Sequence, residues 1–286
     1  MKNLCAVILL LVASLPCLGQ GMHHFEPGFN LFSKDQDIQL GKENAAEVRK
    51  KMQVINDPVL TEYVNRVGKR LAETPEARQS GFPFSFEVVA DPSINAFALP
   101  GGPMFINTGL LKAVDNEGQL AGVMGHEMSH VILRHGTNQA SKAQFIQIPA
   151  LLAQQMTGGG SLMAKLAQVG IGLGANSMLL KFSRTDESQA DLTGSHIMAE
   201  AGYDPMEMAH FFNKLNQQAG SPGTGFAGSF AQFMSDHPNP GNREKAIQDE
   251  ARALPHRNYG YQTDEFQRMK EVVAKIHEPP PPKLQQ

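Results

Sequence analysis

The chain has 286 residues, of which 41% are hydrophobic and 19% charged, so it can bury a sizeable core. Its formal net charge is −3 at pH 7 and no basic stripe runs along it, which excludes nucleic acid as an expected partner. Both cysteines, Cys5 and Cys17, lie in the first 19 residues. The remainder can therefore form no disulfide and use no thiol nucleophile, and any metal site there needs histidine or carboxylate ligands.

The amino terminus has the pattern of a secretory signal peptide. Lys2 precedes an apolar run from Leu4 to Leu18, and compact residues follow the run. The run is short for a transmembrane helix, although a retained anchor or a lipid-modified Cys17 are alternatives. We predict that residues 1–19 are a signal peptide and that the protein is exported, to the periplasm or the extracellular space.

Helical periodicity begins after an irregular arm at residues 20–32. Apolar residues at helical spacing predict helices at 33–52 and 57–73, with Ser33 as a candidate N-cap of the first. The second should stop before Pro75, because the residue that precedes a proline is driven out of the helical region.

A change of period then predicts a small β-sheet within a mainly helical α+β fold. Segments 83–90, 96–100 and 103–107 are the predicted strands. We expect one domain at 33–255, followed by a C-terminal helix and a proline-rich tail at 256–286. The predicted helices after the sheet are 108–114, 116–135, 137–156, 161–181, 186–201, 204–218, 242–252 and 263–277.

The most apolar segment outside the amino terminus is 161–182. Such a segment could cross a membrane, so membrane association is possible. However, Lys165, Gln168 and Asn176 interrupt it, and its glycines weaken a helix. These features favour a core helix or a lid over a membrane span.

The strongest chemical signal is the motif H-E-x-x-H at residues 126–130, inside a helical pattern. Four residues turn a helix by about 400°, so His126 and His130 share one face and can bind one zinc ion. Glu127 can then reach the open side of the metal, take a proton from water and later give one to the leaving amine. The alternative is a pair of buried histidines on an apolar helix.

A third metal ligand has to come from elsewhere in the chain. His135 lies about 140° around the helix from His130, so it should point away. Glu187 is a better candidate, because it opens a downstream helix on which Asp191 shares its face. One carboxylate could bind zinc while the other accepts a hydrogen bond from a ligand imidazole. The two could equally be solvated carboxylates at a helix start.

HEMSHVILRHG followed by FSRTDESQAD resembles the HtpX and CAAX-prenyl-protease group, metallopeptidase family 48. INAFALPGGPMFINTGLL and DHPNPGNR extend the resemblance over most of residues 33–252. The resemblance implies a zincin-like metallopeptidase domain of the gluzincin type, in which one Zn²⁺ is held by His126, His130 and Glu187 and Glu127 is the base. The chain would then be a metalloendopeptidase.

The same resemblance points to two further residues. His237 aligns with the His-Pro element of the group, and Arg243 aligns with the arginine that follows it. Either cation could stabilise the oxyanion of a tetrahedral intermediate. Alternatively, His237 could occupy the open zinc position and hold the enzyme latent, or both residues could be ordinary surface groups.

The substrate is expected to bind as an extended peptide along a strand. Segment 103–107 is the predicted exposed edge, because such an edge pairs with a peptide through main-chain hydrogen bonds. This mode favours unfolded or flexible polypeptides and fits protein quality control in a cell envelope. A latent processing peptidase with a narrow target and a zinc-bound chaperone that does not cut are the alternatives. The predicted substrate-binding residues are Asn95, Ala96, Phe97, Met104, Phe105 and Ile106.

Overall fold

A computed structural model describes residues 23–144, 182–219, 237–238, 241–255, 259–260 and 264–278. The predicted signal peptide, the predicted helix at 161–181 and the proline-rich end of the tail lie outside the described residues. Of the predicted helix at 137–156, residues 137–144 are described, and they are helical. The domain boundaries drawn from the sequence stay a prediction.

The described residues form a mainly helical structure around one small sheet, which confirms the predicted α+β class. Residues 135–144 are also helical. The bounded helices are α1 (Lys34–Lys51), α2 (Pro58–Ala72), α3 (Pro75–Ser80), α4 (Thr108–Ala113), α5 (Glu117–Ile132), α6 (Arg184–Glu200), α7 (Met206–Ala219), α8 (Arg243–Ala253) and α9 (Asp264–Val273). The strands are β1 (Val54–Ile55), β2 (Ser85–Val89), β3 (Ala96–Ala98) and β4 (Pro103–Asn107).

Capping side chains set the helix starts. Ser33 caps α1 in a capping box, as its sequence position predicts. A second capping box joins Ser183 to Asp186, so α6 begins two residues before its predicted start. The helix α2 ends before Pro75 as expected, but that proline opens the short helix α3. Proline suits the first turn of a helix, where its missing N–H costs nothing.

The sheet has the order β1-β2-β4-β3, in which β2 and β4 are parallel and the outer pairs antiparallel. The predicted exposed edge at 103–107 is therefore wrong, because β4 is hydrogen-bonded on both sides. Its residues Met104, Phe105 and Ile106 are at most 1% exposed. The edge strand on this side of the sheet is β3, and a peptide could pair with it there.

The helix α5 lies at the centre of the fold, and every residue from Glu117 to Val131 is buried. Its partner α6 approaches it closely at Gly194. A Cβ added there would stand 3.1 Å from the main-chain nitrogen of His126. This glycine brings the first turns of α6 against the H-E-x-x-H face. Within the described residues, every helix is too short or too polar to cross a membrane.

Candidate metal centre

Four buried side chains converge where α5 meets α6. His126 and His130 come from α5, Glu187 comes from the first turn of α6, and His237 approaches from the chain before α8. One ligand atom from each lies within 4.8 Å of all the others. All four residues are candidates from the sequence, and the fold brings them together.

The distances in this cluster suit a tetrahedral metal ion. The Nε2 atoms of His126 and His130 are 3.1 Å apart, and each lies 3.4 Å from an oxygen of Glu187. A tetrahedral zinc ion with Zn–N bonds of 2.0–2.1 Å holds its ligand atoms about 3.3 Å apart. Two imidazole lone pairs and a carboxylate thus point at one buried spot, and this nitrogen and oxygen donor set suits zinc.

Asp191 and Arg243 support one side of the cluster. The Asp191 Oδ1 lies 3.0 Å from His126 Nδ1, which is the contact expected from the sequence. Arg243 donates from Nε to Asp191 at 2.6 Å and from Nη2 to Glu187 at 3.1 Å. The guanidinium also lies 3.9 Å from the centre of the Phe212 ring. Arg243 therefore holds two carboxylates in place, and its expected contact with an oxyanion stays a prediction.

Hydrogen bonding keeps Glu187 ionised. Burial would raise the pKa of Glu187, but the contacts from His126, His130 and His237 outweigh it and hold the pKa well below its usual range. Burial alone would lower the pKa of His126, but its contacts with the carboxylates of Asp191 and Glu187 raise the pKa to about 9. An anionic carboxylate is the form that a metal ion requires.

The second histidine, His130, has a different environment. Its Nδ1 lies 2.9 Å from the Nδ1 of His135, and the Phe182 ring stacks on it at 3.9 Å. Burial lowers the pKa of His130 well below the usual value. His135 is not among the four clustered residues, as expected, but the reason differs, because α5 ends at Ile132 and the His135 ring turns back onto His130. His135 is outside the four-residue cluster but touches one of its members.

Glu127 lies beside the cluster without belonging to it. Its Oε2 accepts a hydrogen bond of 3.3 Å from the Ala98 N–H of the edge strand β3. Its Oε1 is buried 3.4 Å from His237 Nε2 and finds no hydrogen-bond partner among the described residues. Burial raises the pKa of this carboxyl group. A carboxylate so placed can gain and release a proton at the edge where a peptide would lie.

The residues expected to bind substrate fall into two groups. Ala96 and Phe97 belong to the edge strand β3, and Asn95 precedes it. Phe97 stacks on Phe105 of β4 at 5.3 Å between ring centres. The three residues from β4 lie in the core, as described above.

Comparison with known proteins identifies the family. The model of Peptidase family M48 matches residues 58–251, which include the cluster residues and Arg243. The chain belongs to this family. The resemblance inferred from the motifs is thereby confirmed, and with it a metal cofactor.

Two relatives illustrate the relationship. The chain is 32% identical to the beta-barrel assembly-enhancing protease of Escherichia coli strain K12 over 218 residues, which are 73% of this chain and 42% of that protein. It is 31% identical to the mitochondrial metalloendopeptidase OMA1 of Schizosaccharomyces pombe over 190 residues, or 66% of this chain and 52% of that protein. The chain thus matches about half the length of these relatives.

Proposed function

We propose that the chain is a zinc-dependent endopeptidase that cuts unfolded or flexible exported proteins. The observation that carries this proposal is the convergence of His126, His130 and Glu187 on one buried point, with Glu127 beside it. Membership of a metallopeptidase family supports it. The names of the relatives, a protease and a metalloendopeptidase, agree with it.

In this proposal His126, His130 and Glu187 hold the metal through two nitrogens and one carboxylate. When bound, zinc would supply a Lewis acid that polarises a carbonyl group and lowers the pKa of water. Glu127 acts as general base and then as general acid, because its Oε1 has no competing hydrogen bond among the described residues. Arg243 and Asp191 keep the ligands oriented.

The edge strand β3 is the proposed substrate platform. The main-chain bonds Leu99 N–H to Pro103 O and Asn107 N–H to Asn95 O show that odd-numbered residues face β4. Even-numbered residues therefore direct their main-chain groups to the open edge. The Ala98 N–H does so and reaches Glu127. A peptide paired with this edge would lie beside the base and would be selected for an extended backbone rather than a particular side chain.

The position of His237 favours a latent form of the same enzyme. The second candidate function is therefore a latent processing peptidase with a narrow target. Its Nδ1 lies 3.1 Å from Glu187 and 3.4 Å from His126 Nε2, as a fourth metal ligand would. Its Nε2 lies 3.4 Å from Glu127. His237 thus stands where a substrate carbonyl would need to enter, and it would have to move before cleavage.

An envelope location is part of the proposal. The predicted signal peptide supports export to the periplasm or the extracellular space, and the preference for flexible backbone supports a role in protein quality control. A zinc-bound chaperone that does not cut is less well supported, because binding alone does not require a buried base such as Glu127.

Casein digestion tests the proposal. Purified protein should cut casein, lose this activity after dialysis against a chelator and regain it on addition of zinc. Casein that stays intact under all conditions, including with the His237→Ala variant, would contradict the proposed activity. Binding of casein without cutting would favour the chaperone.

A further inference from the structure

A buried hydrogen-bond chain runs outward from the metal ligand His130. Its Nδ1 lies 2.9 Å from His135 Nδ1, and His135 Nε2 lies 3.1 Å from the side-chain oxygen of Gln189. Both histidines are 4% exposed, so these contacts are buried. Gln189 belongs to α6, the helix that carries Glu187. These hydrogen bonds therefore connect the metal ligand His130 to α6, the helix that carries Glu187.

The backbone is bent to bring His135 to this place. α5 ends at Ile132, and Arg134 follows with φ of +57°, a left-handed conformation that non-glycine residues rarely adopt. The guanidinium of Arg134 holds the turn by donating to Asp37 and to the Phe32 carbonyl, each at 2.6 Å. Without this turn the helix would carry residue 135 away from His130. Strained backbone kept by specific contacts is common at functional sites.

We propose that His135 is a positioning residue that fixes the tautomer and ring orientation of His130. The inference rests on the proposed metal site, where His130 presents the Nε2 lone pair and so carries its proton on Nδ1. That N–H can donate only if His135 Nδ1 is an acceptor. His135 then carries its own proton on Nε2 and donates it to Gln189. The distances thus assign the neutral Nε2–H tautomer to His135.

The charge around the two ligand histidines is consistent with this assignment. His126 donates to the carboxylate of Asp191, whereas His130 has a neutral acceptor. The Asp186 carboxylate is 3.9 Å from His135 Nε2, beyond a hydrogen bond. A second carboxylate against His130 would add another negative charge to the buried site, and an imidazole avoids that.

Two variants separate positioning from packing. In His135→Asn, the Oδ1 atom can take the place of Nδ1 and accept the proton, although the contact with Gln189 is lost. In His135→Leu, the apolar volume is kept and the acceptor is removed. Loss of a partner that orients a ligand typically weakens metal binding by about 10- to 100-fold.

Zinc affinity by competition with a chromogenic chelator tests the inference. We expect His135→Leu to bind zinc at least about tenfold more weakly than wild type, and His135→Asn to stay within a few-fold of it. A packing role would give the opposite order, since leucine suits a buried site better than asparagine. Wild-type affinity in His135→Leu, or equal loss in both variants, would overturn the inference.

The tautomer of His135 can also be measured directly in wild-type protein, so this second test does not require any variant to fold. In zinc-loaded wild-type protein, the ¹⁵N shifts of His135 should show a protonated Nε2 and an acceptor Nδ1. The reverse tautomer would overturn the inference. Wild-type protein that binds no zinc would contradict the proposed function itself, whereas zinc-replete wild type with unaffected His135→Leu contradicts only the role of His135.

Discussion

Glu127→Gln is the substitution that isolates the proposed proton transfer. Glu127 contributes no atom to the four-residue cluster, so the change should leave the metal in place. The amide oxygen of glutamine can still accept the Ala98 N–H, and the side chain keeps its size. What disappears is the capacity of the buried Oε1 to take up and release a proton.

The expected loss of turnover is about 100- to 10,000-fold, the usual contribution of a general acid–base group. This corresponds to about 3–5 kcal/mol in the activation barrier. The stability of the metal-free protein, in contrast, should not fall. Burial raises the pKa of Glu127, so in the metal-free protein the ionised form destabilises the fold as pH rises through the folded-state pKa. Glutamine cannot ionise, so the metal-free variant should be at least as stable as wild type at pH 8.

Three measurements check this prediction together. Casein turnover should fall, zinc content by mass spectrometry should stay at the wild-type level, and the melting temperature of the chelated protein at pH 8 should not decrease. Glu62→Gln, on the exposed face of α2, is the matched control and should change none of the three. Turnover by Glu127→Gln within a few-fold of wild type would refute the proposed role of this carboxylate.

Three more predictions concern His237, the buried carboxylate of Glu117 and the pH dependence of stability. His237→Ala should raise casein turnover and keep its zinc; turnover below wild type would instead indicate a contribution to catalysis. Glu117→Gln should destabilise the protein by about 2–4 kcal/mol in urea unfolding, because the fully buried carboxylate accepts hydrogen bonds from Arg66 and two tyrosine hydroxyls. A loss well under 1 kcal/mol would contradict this. Burial lowers the pKa of His196, but hydrogen bonds with the carboxylates of Glu76 and Glu250 raise it overall. The stabilisation from the charged imidazole is therefore complete below its unfolded-state pKa and is lost as pH rises through its folded-state pKa. The difference in unfolding free energy between wild type and His196→Phe should therefore shrink as pH is raised above 6.5. A difference that stays constant with pH would contradict a stabilising positive charge on His196.

Local patterns in the sequence were sufficient for much of the site. The helical spacing of His126 and His130, and of Glu187 and Asp191, depends only on the 3.6-residue repeat, so their shared faces follow from the sequence. The Ser33 cap and the stop before Pro75 are equally local. The pairing of the two helices could not be derived in this way, and it was inferred from the family resemblance.

Features that depend on distant parts of the chain were missed. Segment 103–107 has the pattern of a strand, but only the pairing of β4 with both β2 and β3 shows that it is interior. The strand β1 has two residues, too few for a periodic signal.

His135 was misplaced because its position was calculated on a continuous helix. The left-handed turn at Arg134 depends on Asp37 and Phe32, about a hundred residues earlier, and no local pattern shows it. Arg243 was named from the family resemblance, but its carboxylate partners become visible only in the fold.

Metal analysis of wild type and Glu187→Ala tests the central claim most directly. Wild-type protein purified without chelator should contain one zinc ion per molecule, and Glu187→Ala should contain little, because its carboxylate supplies the only proposed ligand from α6. Glu200→Ala, at the exposed end of the same helix, should match wild type. Equal zinc in wild type and Glu187→Ala, or none in wild type, would contradict the proposed metal centre.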